Sequence, residues 1–265
     1  MPHTGRHMAD MGFSIWHGIR HQLQGRTAHS LHSPFVFDWY QSVYRGPLSP
    51  EGAAVEALRR ELTRSRTPIV DQDLGAGSRR GRPPHLGALV SRSARRRAAG
   101  ELLRRHCLHY QPQRCLELGT NVGISALYQL SGLSHARFVT VEGAPQLADL
   151  ARQHIIGRGY HAEIITGEFK AVLHQVCRPE DYQPDYVLLD GNHRYEATMA
   201  YADLLLPWMP PGSLMILDDI AWSREMARAW REVAARPEVS VSLELADMGI
   251  CFLRRDQAKE HFVIR

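Results

Sequence analysis

From Arg114 onward, short apolar runs alternate with amphipathic helical segments. That alternation constrains the fold more than any other feature, because strands separated by helices assemble as parallel sheets flanked by helices. The strand candidates are residues 114–118, 138–142, 163–166, 186–190, 213–217, 239–244 and 250–254. Helical segments separate the first five. Only Leu245-Ala246-Asp247-Met248-Gly249 joins the last two. That join is too short for a crossover helix, so it must close a hairpin. The expected architecture is α/β: a Rossmann-like, seven-stranded sheet ending in an antiparallel hairpin.

The preceding stretch reads differently. Ser33 before Pro34 is a helix start, with proline at the first helical position. Phe35, Val36, Trp39, Tyr40 and Val43 then recur at helical spacing, and Gly46-Pro47 ends the run. Further helices are expected over about 51–64 and 93–110. The chain is therefore divided into a helical N-terminal extension, 1–110, and an α/β domain, 111–265. Residues 79–105 hold nine arginines and one acid, Glu101, a local charge of +8 within a chain whose net charge is +4. This basic segment belongs to the extension. Trp16, Phe35, Phe37, Trp39 and Tyr40 read either as walls of a substrate cover or as core.

Composition narrows the class. The 265 residues are 44% hydrophobic and 23% charged, which excludes wholesale disorder and fibrous repeats. No run of 18 apolar residues exists, so no transmembrane helix and no membrane association are expected. Residues 1–13 lack the apolar stretch of a secretory signal. Cys107, Cys115, Cys177 and Cys251 form no CxxC pair. They are expected as free thiols in a cytoplasmic protein.

The first strand runs into Glu117-Leu118-Gly119-Thr120-Asn121-Val122-Gly123-Ile124-Ser125. Gly119 permits a tight turn, Gly123 permits close approach of a ligand, and the following helix N-terminus offers free N–H groups. An ordinary tight βα turn would read the same way. The second strand adds weight to the ligand reading. It ends at Glu142 followed by Gly143, and an acid there accepts both hydroxyls of a ribose. The turn is not GxGxxG, which disfavours a dinucleotide.

With these residues in place, the stretch from about 100 to 255 resembles the class I S-adenosylmethionine-dependent methyltransferases. The run ELGTNVGIS at 117–125 is similar to the first motif of the catechol-type and metal-dependent sugar O-methyltransferases. Asp190-Gly191-Asn192-His193-Arg194-Tyr195-Glu196 resembles their DGxHxYE motif. HSPFVF at 32–37 and DLGAGS at 73–78, taken with this core, resemble an uncharacterised bacterial methyltransferase family. The resemblance implies S-adenosylmethionine as cofactor. Gly119, Thr120, Asn121, Gly123 and Ser125 would hold its methionine part and Glu142, with Gly143, its ribose. Gly167-Glu168-Phe169 would lie near the adenine, and Glu117 and Asp190 complete the expected set. DLGAGS also looks like a first motif, but residues 66–72 are too polar for a central strand. It is read as an active-site loop or a structural turn.

Asp190 ends the fourth strand, and Asp218-Asp219 ends the fifth. Adjacent strand tips share one edge of a parallel sheet, and three carboxylates there would repel unless a cation or a proton neutralises them. Oxygen donors suit Mg²⁺ or another hard divalent ion. The resemblance likewise implies metal at Asp190, Asp218 and Asp219. Alternatively, Asp218 or Asp219 caps the next helix. His193 is read as the catalytic base beside Asp190, as a metal ligand, or as a loop hydrogen-bonder. The leading expectation is divalent-metal-assisted O-methylation of a small hydroxylated molecule. The alternatives are an RNA methyltransferase that uses the basic segment 79–105 on nucleic acid, and a non-catalytic cofactor-binding or partner-binding protein. Related enzymes often dimerise, so a homodimer is compatible with the sequence.

Overall fold

The computed structural model describes residues 13, 17, 18, 20–23, 25, 32–69, 85–93, 97–177 and 181–265. DLGAGS at 73–78, Trp16, and Arg79, Arg80, Arg82, Arg95 and Arg96 lie outside the described residues. The chain divides into two compact units, 32–172 and 1–31 with 173–265.

Unit 32–172 opens with α1 (Pro34–Trp39), which continues as a π-helical turn, Tyr40–Tyr44. Ser33 occupies the N-cap position, but its side chain does not cap. Its carbonyl accepts the Phe37 N–H instead. Trp39 and Tyr40 are core residues, whereas Phe37 is exposed. Trp39 donates its indole N–H to His106 Nε2 at 3.0 Å. Next come α2 (Pro50–Thr63), α3 (Leu86–Ser93) and α4 (Arg97–Tyr110). The helix expected from Ser93 is thus two, with α3 reaching back to Leu86. Ser49 caps α2 by accepting the Gly52 N–H at 2.9 Å. Its hydroxyl also bonds Glu101, a fully buried carboxylate on α4 that accepts the Ser49 N–H at 2.8 Å. Burying a carboxylate is tolerable only when donors surround it, so Glu101 fixes α4 against the start of α2.

The α/β part of this unit follows as β1 (Arg114–Leu118), α5 (Ile124–Leu130), β2 (Arg137–Glu142), α6 (Pro145–Ile156), β3 (Glu163–Thr166) and the start of α7 (Phe169–Val176). All three strands are parallel, with β2 central: Leu118 pairs with Val141, and Glu142 with Thr166. Leu116, Leu118, Val139 and Val141 are fully buried, as expected of parallel strands covered on both faces.

Unit 173–265 contains β4 (Tyr186–Leu189), α8 (Tyr195–Leu205), a 3₁₀ turn at Leu206–Trp208, β5 (Leu214–Asp218) and α9 (Arg224–Ala234). β6 (Val241–Glu244), β7 (Met248–Phe252) and β8 (Glu260–Val263) complete it. β4 and β5 are parallel. β7 runs antiparallel to both β5 and β6, forming the expected hairpin. β8 is an eighth strand, parallel to β6, where seven were expected. Its four residues, Glu260-His261-Phe262-Val263, are too short and too mixed to register as an apolar run. Trp230 on α9 is buried across Gly249, where an added Cβ would sit 2.3 Å from the ring. Its indole N–H donates to buried Glu244 at 2.9 Å.

His106 gives this fold a pH dependence. Burial holds its imidazole neutral and pushes its pKa down to about 3. The unfolded imidazole protonates near pH 6.5, so the unfolded state binds more protons between those values. The stability that His106 contributes is complete above about pH 6.5 and falls as pH drops, by up to about 1.4 kcal/mol per unit. Denaturant titrations from pH 7 to 4 should show a steeper loss for wild type than for His106→Gln. Equal slopes would refute this assignment.

Candidate functional site

The expected cofactor residues fall within unit 32–172. After β1 the chain turns through Gly119 at φ 104°, Asn121 at φ 51° and Gly123 at φ 86°. These are left-handed values that glycine and asparagine tolerate best. The Gly119 and Thr120 N–H groups donate to Val141 O at 2.9 and 3.2 Å, which locks the turn to β2. Asn121 Oδ1 accepts the Val122 N–H at 2.8 Å, and the Val122 carbonyl lies 2.9 Å from His154 Nδ1 on α6. Glu142, at the tip of β2, accepts the Asn121 N–H at 2.7 Å on one oxygen and the Ala144 N–H at 3.0 Å on the other. Its carboxylate and the glycine turn therefore form one connected structure. The Gly167 N–H donates to the Glu142 carbonyl at 3.0 Å, so Gly167-Glu168-Phe169 adjoins the β2 tip. Glu168 caps α7, accepting the N–H groups of Lys170 and Ala171.

Three expected binders are buried at the loop. Glu117 and Thr120 are fully buried, and Ser125 nearly so. Glu117 accepts from Gln129 Nε2 at 2.7 Å and from Thr140 Oγ1 at 2.6 Å. With its proton committed to Glu117, Thr140 accepts from Thr120 Oγ1 at 2.5 Å. The Thr120 hydroxyl thus points to the sheet and supports the turn from below. Sequence reading missed Thr140, Gln129 and His154. The signal for Thr140 was a lone hydroxyl inside the apolar run Phe138-Val139-Thr140-Val141.

The expected acids and base fall within unit 173–265. Asp190 directly follows β4, and Asn192 at φ 54° turns the loop. His193 Nε2 lies 3.4 Å from Asp219 Oδ2, with both side chains partly exposed. The Trp222 ring stands beside the imidazole, with centroids 6.0 Å apart. Asp190, Asp218 and Asp219 are the residues expected to hold a metal. Among the described residues no group of three or more His, Cys, Asp and Glu side chains is placed to hold a metal ion. Asp218 is the buried last residue of β5, and Asp219 directly after it has a left-handed φ of 53°. Neither aspartate caps α9. Ser223 does so, accepting the Met226 N–H at 3.1 Å.

The described part of the basic segment is engaged within the fold. Arg105 donates to the carbonyls of Val43, Pro47 and Tyr44. Arg104 pairs with Glu51 at 3.0 Å, and Arg97 donates to Ser49 O at 3.1 Å. These three arginines are structural.

The buried hydrogen-bond chain yields a sharp expectation. Thr140→Val strips the buried Glu117 carboxylate of one donor, at a cost of about 1–3 kcal/mol. Thr140→Ser retains the donor and should stay within about 1 kcal/mol of wild type. Urea denaturation of both variants tests the difference, and equal stability of Val and Ser would refute the network.

Residues 116–220, which contain both the glycine turn and the His193–Asp219 pair, match a family described as "Methyltransferase domain". No curated protein matches the chain. An O-methyltransferase from Bacillus cereus, solved with SAH, is 20% identical. It is matched over 81% of this chain and 95% of its own, with a TM-score of 0.54. TomG from Streptomyces achromogenes, an O-methyltransferase of tomaymycin synthesis solved with SAM, is also 20% identical. It covers 83% and 96% at a TM-score of 0.56. An SAH-bound methyltransferase from Podospora anserina is 15% identical over 84% and 97%, with a TM-score of 0.58. The chain therefore has the class I methyltransferase fold, and residues 116–220 match the methyltransferase-domain family.

Proposed function

We propose that the chain is an S-adenosylmethionine-dependent O-methyltransferase acting on a small hydroxylated acceptor. The observation that carries this reading is Glu142. Its carboxylate ends β2 and is held by the Asn121 N–H of a turn whose Gly119 and Gly123 keep the backbone open. A carboxylate so placed suits the two hydroxyls of a ribose, and the turn leads into the N-terminus of α5, where N–H groups are available. Gly119, Asn121 and Gly123 would hold the methionine part of the cofactor, and Gly143 and Phe169 would flank its nucleoside. Glu117 and Thr120 act from beneath, through Thr140. The SAM and SAH in the structural neighbours support the same cofactor.

Bound, S-adenosylmethionine supplies an electrophilic sulfonium methyl. The chain must supply an acceptor oxygen stripped of its proton. His193 is the base in this reading. Asp219 beside Nε2 favours the tautomer that carries its proton there, leaving the Nδ1 lone pair to take the acceptor's hydroxyl proton. Asp219 also stabilises the imidazolium that results. Asp190, on the same loop as His193, is kept as a further cofactor or catalytic contact. Among the described residues no group of three or more His, Cys, Asp and Glu side chains is placed to hold a metal ion, and the proposed proton transfer uses His193 and Asp219 alone. Within the basic segment, Arg97, Arg104 and Arg105 are engaged within the fold and are not offered to a nucleic acid.

Calorimetric titration of SAH into the purified protein tests the cofactor. Binding should weaken at least tenfold in Glu142→Ala and persist in EDTA. No binding by folded wild type would overturn the reading. Against a panel of small hydroxylated acceptors, His193→Gln and Asp219→Asn should lower methyl transfer by about 10²–10⁴-fold with SAH affinity unchanged. Loss of wild-type transfer in EDTA and its return with Mg²⁺ would restore metal assistance.

A further inference from the structure

We propose that Ser93, at the end of α3, is a positioning residue for cofactor binding. It acts through Asn121, and the inference rests on the cofactor reading above. Asn121 has three groups engaged at once. Its N–H goes to Glu142 at 2.7 Å, its Oδ1 accepts the Val122 N–H at 2.8 Å, and its Nδ2 donates to Ser93 Oγ at 3.1 Å. The first two bonds lie within the turn and β2. The third is the one that leaves them, reaching 28 residues back along the chain.

Ser93 is suited to receive that bond. Its own hydroxyl proton is given to Leu89 O at 3.1 Å, one turn earlier in α3. The oxygen therefore faces Asn121 as an acceptor only. Helix α3 is itself anchored. The Leu86 N–H donates to Thr67 O at 2.8 Å, the Gly87 N–H to Ser65 O at 3.1 Å, and Pro68 pairs with His85 in an antiparallel bridge. A Cβ at Gly87 would meet Thr63 O at 2.4 Å, so α3 is seated directly on the end of α2. A second bond ties the same region to the other side of Glu142: Gln146 Nε2, in the first turn of α6, donates to Pro68 O at 3.0 Å. The helices before β1 thus grip the Glu142 turn at two points in sequence, Asn121 and Gln146.

The consequence concerns affinity. A ribose that binds Glu142 competes with the Asn121 N–H for the same carboxylate. When that bond loosens, Ser93 is the remaining external hold on the left-handed Asn121. Without it, the turn would have to be re-ordered each time the cofactor binds, and binding would bear that cost. Ser93 is at the surface end of its helix, so its removal should leave global stability untouched.

The test is SAH affinity by calorimetry, with thermal denaturation of each apoprotein alongside. Ser93→Ala should weaken SAH about threefold to tenfold, the worth of one hydrogen bond, with Tm within about 1 °C. Ser93→Thr keeps the acceptor oxygen and should restore affinity to within twofold. Gln146→Ala should weaken SAH in the same direction. If Ser93→Ala binds as wild type while Glu142→Ala does not, the role of Ser93 is overturned and the cofactor reading stands. If Ser93→Thr fails to rescue, or Tm falls with affinity, the effect is general destabilisation and the proposal fails. If wild type does not bind SAH, both readings fall together.

Discussion

A fully buried carboxylate on the first strand sets the terms for the surrounding structure. Glu117 sits inside a parallel sheet, where an unpaired charge would be ruinous. Its donors come from two different elements, Gln129 on α5 and Thr140 on β2. Satisfying one carboxylate therefore fixes β1, α5 and β2 relative to one another. The network then continues upward, since Thr140 accepts from Thr120 in the turn itself. An apolar residue at 117 could fill the same space. It could not tie the turn to the strands by directional bonds. This explains why a polar chain runs through the most apolar part of the unit.

The turn is consequently held from below and from the side. Below are Thr120 and the Val141 carbonyl, which accepts two N–H groups. To the side are Glu142 on β2 and His154 on α6. Left-handed residues at Gly119, Asn121 and Gly123 cost little at these residue types, but they do not choose one geometry unaided. The surrounding bonds make the choice. Preorganisation of this kind reduces the ordering cost when a ligand arrives.

Much of this was legible from the chain alone. Strand and helix alternation revealed the α/β order and the terminal hairpin because apolar runs between turn residues are a local signal. The placement of Glu142 and the glycine turn was legible because it depends on position at a strand tip. The network partners were not. Thr140 looks like an ordinary strand residue, and Gln129 like an ordinary helical one, until the packing shows which face each presents. β8 escaped because Glu260-His261-Phe262-Val263 gains its identity only by pairing with β6. The acids are a different case. Spacing located Asp190, Asp218 and Asp219 at the ends of β4 and β5, but spacing carries no information about φ, and Asp219 has a left-handed φ of 53°.

That same turn has a constructive side. A carboxylate directed along β5 would stay buried with Asp218. Reversing the backbone at Asp219 carries its carboxylate outward to His193, 3.4 Å away. The Trp222 N–H donates to the Asp219 carbonyl at 2.9 Å, and the Ile220 N–H to Asp247 O at 3.1 Å, so the reversal is secured on its far side. Ser223 caps α9 and relieves the aspartates of that duty. Two adjacent acids thus take different environments, one inside the sheet and one beside an imidazole. In the second, the carboxylate stands against a ring nitrogen whose orientation it can fix. A pair of acids that looks redundant in the sequence is thereby divided into a buried strand terminus and a partner for His193.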